Sequence, residues 1–249
     1  MKDAIWLAGA AGAIGTALVP LLIDAGYAVF GSTRKPERAR ALEAAGVTPV
    51  IVDVFDADAL RAALVRVAPR AVIHQLTDLP FALDAAKMAQ ATAANARLRD
   101  EGTRHLVAAA VAAGSARLIA QSIAWAYRDT PAKPYDETQP LDVEAEGARG
   151  ISVRGVASLE RQTLHTPALA GTVLRYGQIW GPRTGFDAPV GASPVHVEAA
   201  AFAAFYALER GASGAFNIAD DHADADNAKA KRELGWSPAL RLARDEVRR

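Results

Sequence analysis

Ile5-Trp6-Leu7-Ala8-Gly9-Ala10-Ala11-Gly12-Ala13-Ile14-Gly15 is the stretch whose reading decides the fold. An apolar run of strand type ends in glycines spaced Gly-x-x-Gly-x-x-Gly, and an apolar-periodic segment follows from Ile14 to about Ala25. This layout predicts a strand, a tight turn and a helix N-terminus. Glycine lets backbone approach a pyrophosphate, whose charge is favoured by free N–H groups and the helix dipole. A plain tight turn in an Ala/Gly-rich chain would use similar residues. The position directly after the first strand and opening the first helix favours dinucleotide binding. Gly9, Ala11, Gly12, Ala13, Ile14 and Gly15 are therefore the first candidate cofactor contacts.

At 249 residues the chain is long enough for one full α/β core with a small appendage. Its 28 basic and 28 acidic residues cancel, and no basic run suggests nucleic acid or an anionic membrane. Cysteine is absent, which excludes disulfides, thiolate metal sites and a cysteine nucleophile and fits a cytoplasmic setting. The apolar stretch from Lys2 to Ile23 imitates a secretion signal, but its spaced glycines and strand-to-helix switch argue otherwise. No other apolar run approaches membrane-spanning length. The five histidines lack ligand spacing, so no metal is expected. No Gly-x-Ser-x-Gly elbow supports a hydrolase.

Outward from the glycine turn, strand and helix alternate with short links, which predicts a parallel sheet covered on both faces. Strands are expected at Tyr27–Ser32, Thr48–Val52, Ala71–His74, Arg117–Gln121 and Thr172–Tyr176. Helices are expected from Pro36 to before Gly46, from Asp56 to about Arg66, across Phe81–Ala113 with a break near Gly102, and over Ile151–His165. A short lobe follows, with a helix at Val197–Glu209, a strand at Ala215–Ile218 and a last helical stretch at Asn227–Leu234. The expected division is a Rossmann-type, doubly wound domain over 1–176 and a shortened C-terminal substrate lobe over 177–249, packed together.

Several motifs in order make the chain resemble the extended short-chain dehydrogenase/reductase group, the NAD-dependent epimerase/dehydratase family. After the glycine turn come Asp53-Val54, then Val72-Ile73-His74-Gln75-Leu76, then Asn95 with Gly102-Thr103. Leu118-Ile119-Ala120-Gln121-Ser122 with Tyr127 resembles the strand that carries the family's serine and tyrosine. Leu174-Arg175-Tyr176-Gly177-Gln178-Ile179-Trp180-Gly181-Pro182, His196-Val197-Glu198 and Lys229 with Leu234-Gly235-Trp236-Ser237-Pro238 complete the series. The resemblance implies a bound nicotinamide cofactor, a small-molecule substrate and a homodimer formed through the long helices after the fourth and fifth strands.

The departures bear on function. Family enzymes use a Tyr-x-x-x-Lys pair, in which the tyrosine is the acid/base and the lysine lowers its pKa. Matching Gly155, Leu159 and Glu160 to the family pattern puts Arg154 at the tyrosine position and Ser158 at the lysine position. No Tyr-x-x-x-Lys occurs anywhere in the chain. The segments that hold a nucleotide sugar in relatives, between Pro182 and His196 and between Asn217 and Lys229, are also short.

Thr33 falls where NAD-preferring relatives carry a ribose-binding carboxylate, and Arg34 follows. A hydroxyl and a guanidinium suit a 2′-phosphate, so NADP is expected, with NAD the alternative. Arg34 could also be a solvated helix start. Asp53 reads as an adenine contact or a loop cap. His74 lines the cofactor or is a satisfied structural group, while Gln75, Leu76, Gln121, Arg175, Tyr176 and Gly177 stand at strand ends where ligands bind. Tyr127 is the expected acid, with Ser122 and a pKa-lowering Arg154 beside it; otherwise it packs as a structural aromatic. These residues lead to an NAD(P)-dependent oxidoreductase or isomerase acting on a small carbonyl or alcohol. The alternative is an NADP(H)-binding regulatory protein without turnover.

Overall fold

Alternate side chains of the first strand, β1 (Ala4–Ala8), go to opposite faces of one sheet. Ile5 and Leu7 join a core with Leu18, Leu22, Phe216 and Trp236, whereas Trp6 and Ala8 join a second with Leu60, Leu64 and Leu106. Both faces are buried, which is why the strand reads as a continuous apolar run. The computed structural model describes residues 3–211 and 213–243.

In chain order, β1 leads into α1 (Ala13–Asp24), β2 (Ala28–Thr33), α2 (Ala39–Ala44), β3 (Thr48–Ile51), α3 (Ala57–Val67) and β4 (Ala71–His74). Next come α4 (Ala85–Arg97), α5 (Thr103–Ala112), β5 (Arg117–Ile123), α6 (Gly147–Leu164) and β6 (Ala170–Tyr176). The last elements are β7 (Gln178–Trp180), β8 (Pro194–His196), α7 (Val197–Arg210) and β9 (Gly214–Ile218). Seven strands form a parallel sheet in the order β3-β2-β1-β4-β5-β6-β9. Strand order reverses beside β1, so a crevice opens at the carboxyl ends of β1 and β4, the place where such sheets bind ligands.

The fold class is the Rossmann type, and most expected elements lie within a few residues of their places. Asp56 caps α3 by accepting from the Ala59 N–H at 3.0 Å. Four details differ. The helix expected after Pro36 is a 3₁₀ turn over Pro36–Arg38 followed by α2. The Phe81–Ala113 region opens with a short turn in which Ala82 and Leu83 have φ of 54° and 52°. Near Gly102 the helix does not break but widens into a π turn over Leu98–Gly102. The helix after β5 starts at Gly147 rather than Ile151.

The segment after 176 does two things. β7 and β8 pair as a small separate ribbon, and β9 returns to the main sheet beside β6. No helix among the described residues is long and apolar enough to cross a membrane. No cluster of His, Asp and Glu among them is placed to hold a metal.

Candidate active site

Gly9 ends β1 with φ of +96°, a left-handed conformation that favours glycine. A Cβ on Gly9 would stand 2.7 Å from the Gln75 carbonyl, so the turn lies directly on the strand end of β4. The Gly12 N–H donates to the Gly9 carbonyl at 2.9 Å, and no side chain caps α1. The helix end therefore faces the crevice with its dipole and backbone donors. A cleft of about 750 Å³ runs from this turn across the strand ends. The bare-backbone cradle fits a pyrophosphate.

Of the expected cofactor contacts, Gly9, Ala11, Gly12, Ala13, Thr33, Arg34, Asp53, Val54, Leu76, Gln121, Tyr176 and Gly177 line this cleft. At its adenine end, the Thr33 hydroxyl accepts from the Lys35 N–H at 3.1 Å, and Lys35 and Arg38 join Arg34 in the wall. Arg34 is half exposed and lies 3.4 Å from Asp78. Asp53 accepts from the Phe55 N–H at 3.0 Å, so it caps its own turn while facing the cleft.

Other expected contacts sit behind the wall. Ile14 and Gly15 are buried in the first turn of α1, and Gly15 packs against the Gly9 carbonyl. The Gln75 amide donates to the Tyr176 hydroxyl at 3.4 Å, while its Oε1 is buried without a partner. His74 is 1 % exposed; its Nδ1 accepts from the Leu76 N–H, which leaves Nε2–H to donate to Thr103 Oγ1 at 3.1 Å. This makes His74 a satisfied structural group. Burial, with the nearby Arg99 charge, lowers its pKa from 6.5 to about 4.

The folded chain thus refuses a proton that the unfolded chain accepts. The stability held by neutral His74 is complete above the unfolded pKa of about 6.5 and is lost as pH falls toward 4. At pH 5 the loss is about 2 kcal/mol. His74→Gln is expected to flatten the melting-temperature profile between pH 7 and pH 5. An unchanged slope would remove His74 from this role.

The three expected catalytic residues do not converge. Ser122 is fully buried and its hydroxyl donates to Glu160 Oε1 at 2.6 Å, although part of the residue borders the cleft. Tyr127 is 3 % exposed and lies outside the main cleft, its hydroxyl donating to Asn217 Oδ1 at 2.5 Å. Arg154 is exposed and donates to the Val143 and Ala145 carbonyls at 3.2 and 3.1 Å, which ties down the loop before α6.

The cation beside Tyr127 is Arg175, which was expected on the cofactor wall. Its Nη1 donates to the Tyr127 hydroxyl at 2.8 Å, and its Nε and Nη2 grip Glu160 at 2.9 and 2.7 Å. Burial pushes the Tyr127 phenol up to about 12 despite Arg175. Ser158, at the lysine position, donates to Asp100.

Sequence reasoning missed Arg38, Arg99 and Ser152 on the cleft wall, where Lys35 and Trp125 also stand. Arg38 closes the 3₁₀ turn that follows Arg34 and Lys35 and was legible from that position. Arg99 depends on the π turn, which periodicity does not reveal.

This fold, with its open helix end and strand-end crevice, defines a dinucleotide-binding protein. A family model described as NAD(P)H-binding matches residues 9–148, and the chain belongs to that family. It is 40% identical over 237 residues to a Streptomyces 3-diazoavenalumate denitrifying reductase, covering 87% of this chain and 76% of the relative. UDP-glucose 4-epimerase of Thermotoga maritima, solved with UDP-glucose, superposes with a TM-score of 0.74 at 21% identity, covering 96% and 94% of the two chains. Yeast methylglyoxal/isovaleraldehyde reductase, solved with NADPH, gives 0.74 at 16% identity, covering 94% and 93%. NAD(P)H binding is the property that the family carries, and the Streptomyces relative is a reductase.

Proposed function

We propose that the protein is an NADPH-dependent reductase acting on a small electrophile that needs no proton from a side chain. One observation carries this reading: the hydroxyls that a short-chain dehydrogenase would use are committed elsewhere. Ser122 is held by Glu160, and Tyr127 is buried between Asn217 and Arg175 with its phenol pushed up to about 12. A general acid works best with a pKa near the operating pH.

A carbonyl that is reduced becomes an alkoxide and requires such an acid. When bound, reduced nicotinamide supplies a hydride, and an arenediazonium accepting it yields the arene and N₂ with no protein proton consumed. Diazo arenes, the class in the Streptomyces relative's name, satisfy the constraint that these locked hydroxyls set. What the chain contributes is a phosphate cradle at Gly9–Gly15 and an apolar wall including Leu76 and Tyr176.

The test supplies 4-hydroxybenzenediazonium and NADPH, following absorbance and release of N₂. Consumption of NADPH with deuterium passing from labelled cofactor into the arene is expected. Tyr127→Phe should keep turnover within about tenfold of the parent, since acid/base assistance would be worth 10²–10⁴-fold. Turnover of a carbonyl but not of the diazo compound would overturn the reading, as would loss of activity in a folded Tyr127→Phe.

NADPH is the proposed form because Arg34, Lys35 and Arg38 surround the end of β2, where Thr33 stands in place of a carboxylate. Arg34→Asp is expected to reverse the preference by about tenfold or more, the worth of a charge-assisted contact. Equal affinities of the unmodified protein for NADPH and NADH in fluorescence titrations would refute the preference.

A further inference from the structure

Arg99 is 4 % exposed, yet no hydrogen bond or ion pair reaches its guanidinium among the described residues. The π turn over Leu98–Gly102 carries it into the wall of the main cleft, with Leu98, Asn95, Ser122 and Trp125. Glu160 is the nearby carboxylate that favours its charge, but both Glu160 oxygens are already taken by Arg175, and Ser122 shares one. Its nitrogens are not among the fully buried unpartnered atoms, so they open to the cleft, and a guanidinium so largely desolvated without a protein partner is costly to fold around. Burial lowers its pKa to about 10, which leaves it protonated at neutral pH.

The cofactor's own anionic groups have other partners in prospect. The pyrophosphate fits the glycine turn, and the basic trio of Arg34, Lys35 and Arg38 lies at the end of β2. Arg99 stands elsewhere, on the turn that joins α4 to α5. The same cleft offers the apolar surfaces of Trp125, Tyr176 and Phe186 to a flat body.

We propose that Arg99 is a substrate-binding residue whose guanidinium receives the carboxylate of an aryl carboxylic acid in the main cleft. The proposal rests on the reductase reading and names its substrate class. A planar fork matches a carboxylate through two parallel hydrogen bonds, and inside a low-dielectric cleft such a pair discriminates strongly against a neutral isostere.

The experiment measures binding without turnover. The protein saturated with NADP⁺ is titrated with cinnamate and, separately, cinnamamide by calorimetry. The acid is expected to bind tighter than the amide by about tenfold or more. Arg99→Met should erase that difference, leave NADPH affinity unchanged and melt no lower than the parent, because an unpaired buried charge has been removed. Arg99→Lys should keep part of the preference, retaining charge without the fork.

Equal binding of acid and amide, or no saturable binding of millimolar cinnamate, would overturn the proposal. A tenfold loss of NADPH affinity in Arg99→Met would assign the residue to the cofactor instead, and a lowered or lost melting transition would assign it to the fold. These outcomes are separate from failure of the reductase reading, which is seen only in NADPH consumption.

Discussion

Arg175→Met is expected to lose about 3–5 kcal/mol of folding stability, the usual consequence of leaving one buried charge without its partner. The Arg175 and Glu160 side chains are only 8% and 7% exposed, and two parallel hydrogen bonds join them. Burial works against the Arg175 charge, but the Glu160 carboxylate outweighs it and the net pKa is raised. Without Arg175, Glu160 keeps only the Ser122 hydroxyl in an interior that cannot solvate it. The Tyr127 hydroxyl and the Glu137 carbonyl each lose a donor as well.

The companion variant isolates the cause. Arg175→Met combined with Glu160→Leu removes both charges and should recover part of the loss, since an apolar pair carries no desolvation penalty. Urea unfolding of the four proteins in the cycle measures this. A single-variant loss below about 1 kcal/mol would mean that water reaches the pair.

Gly15→Ala is the second large effect. A Cβ there would stand 2.2 Å from the Gly9 carbonyl oxygen and 2.8 Å from the Ala10 backbone. Backbone cannot swing aside as a side-chain tip can, so α1 must shift away from the turn it opens. The expected outcome is loss of about 3 kcal/mol or more, in the range of severe overpacking, together with loss of measurable NADPH binding. Gly26→Ala is the control. Gly26, unlike Gly15, has positive φ, at +90°, but a Cβ there meets nothing within 4 Å. It should cost about 1–2 kcal/mol of backbone strain and spare the cofactor site. Normal NADPH titration of Gly15→Ala would show that the turn adapts.

The fold was legible because parallel strands buried on both faces must be apolar throughout. Trp6-Leu7-Ala8 before Gly9, and Val72-Ile73 before His74, can hardly be anything else. The cofactor turn was legible for a related reason, since Gly9 and Gly15 occupy positions no larger side chain can fill. The buried polar corner behind the cleft was not. Ser122, Tyr127, Glu160 and Arg175 come from three distant parts of the chain, and only the register of β5 against β6 brings Ser122 opposite Arg175. The family resemblance puts Arg154 at the tyrosine position beside Tyr127, yet α6 turns it outward to the preceding loop. The β7–β8 pair is three residues per strand, too short for any periodicity to show.

The return of β9 to the sheet also sets an order of events during synthesis. β6 has β5 on one side from the moment both have emerged, but its other edge stays bare until residues 214–218 leave the ribosome. For the time needed to make nearly forty residues, β6 offers unpaired amides and the apolar residues Val173 and Leu174 to any passing strand. At about 5–20 residues per second, that interval lasts a few seconds. The nascent chain is therefore exposed to mispairing between the emergence of β6 and that of β9, and chaperone dependence should concentrate in that interval.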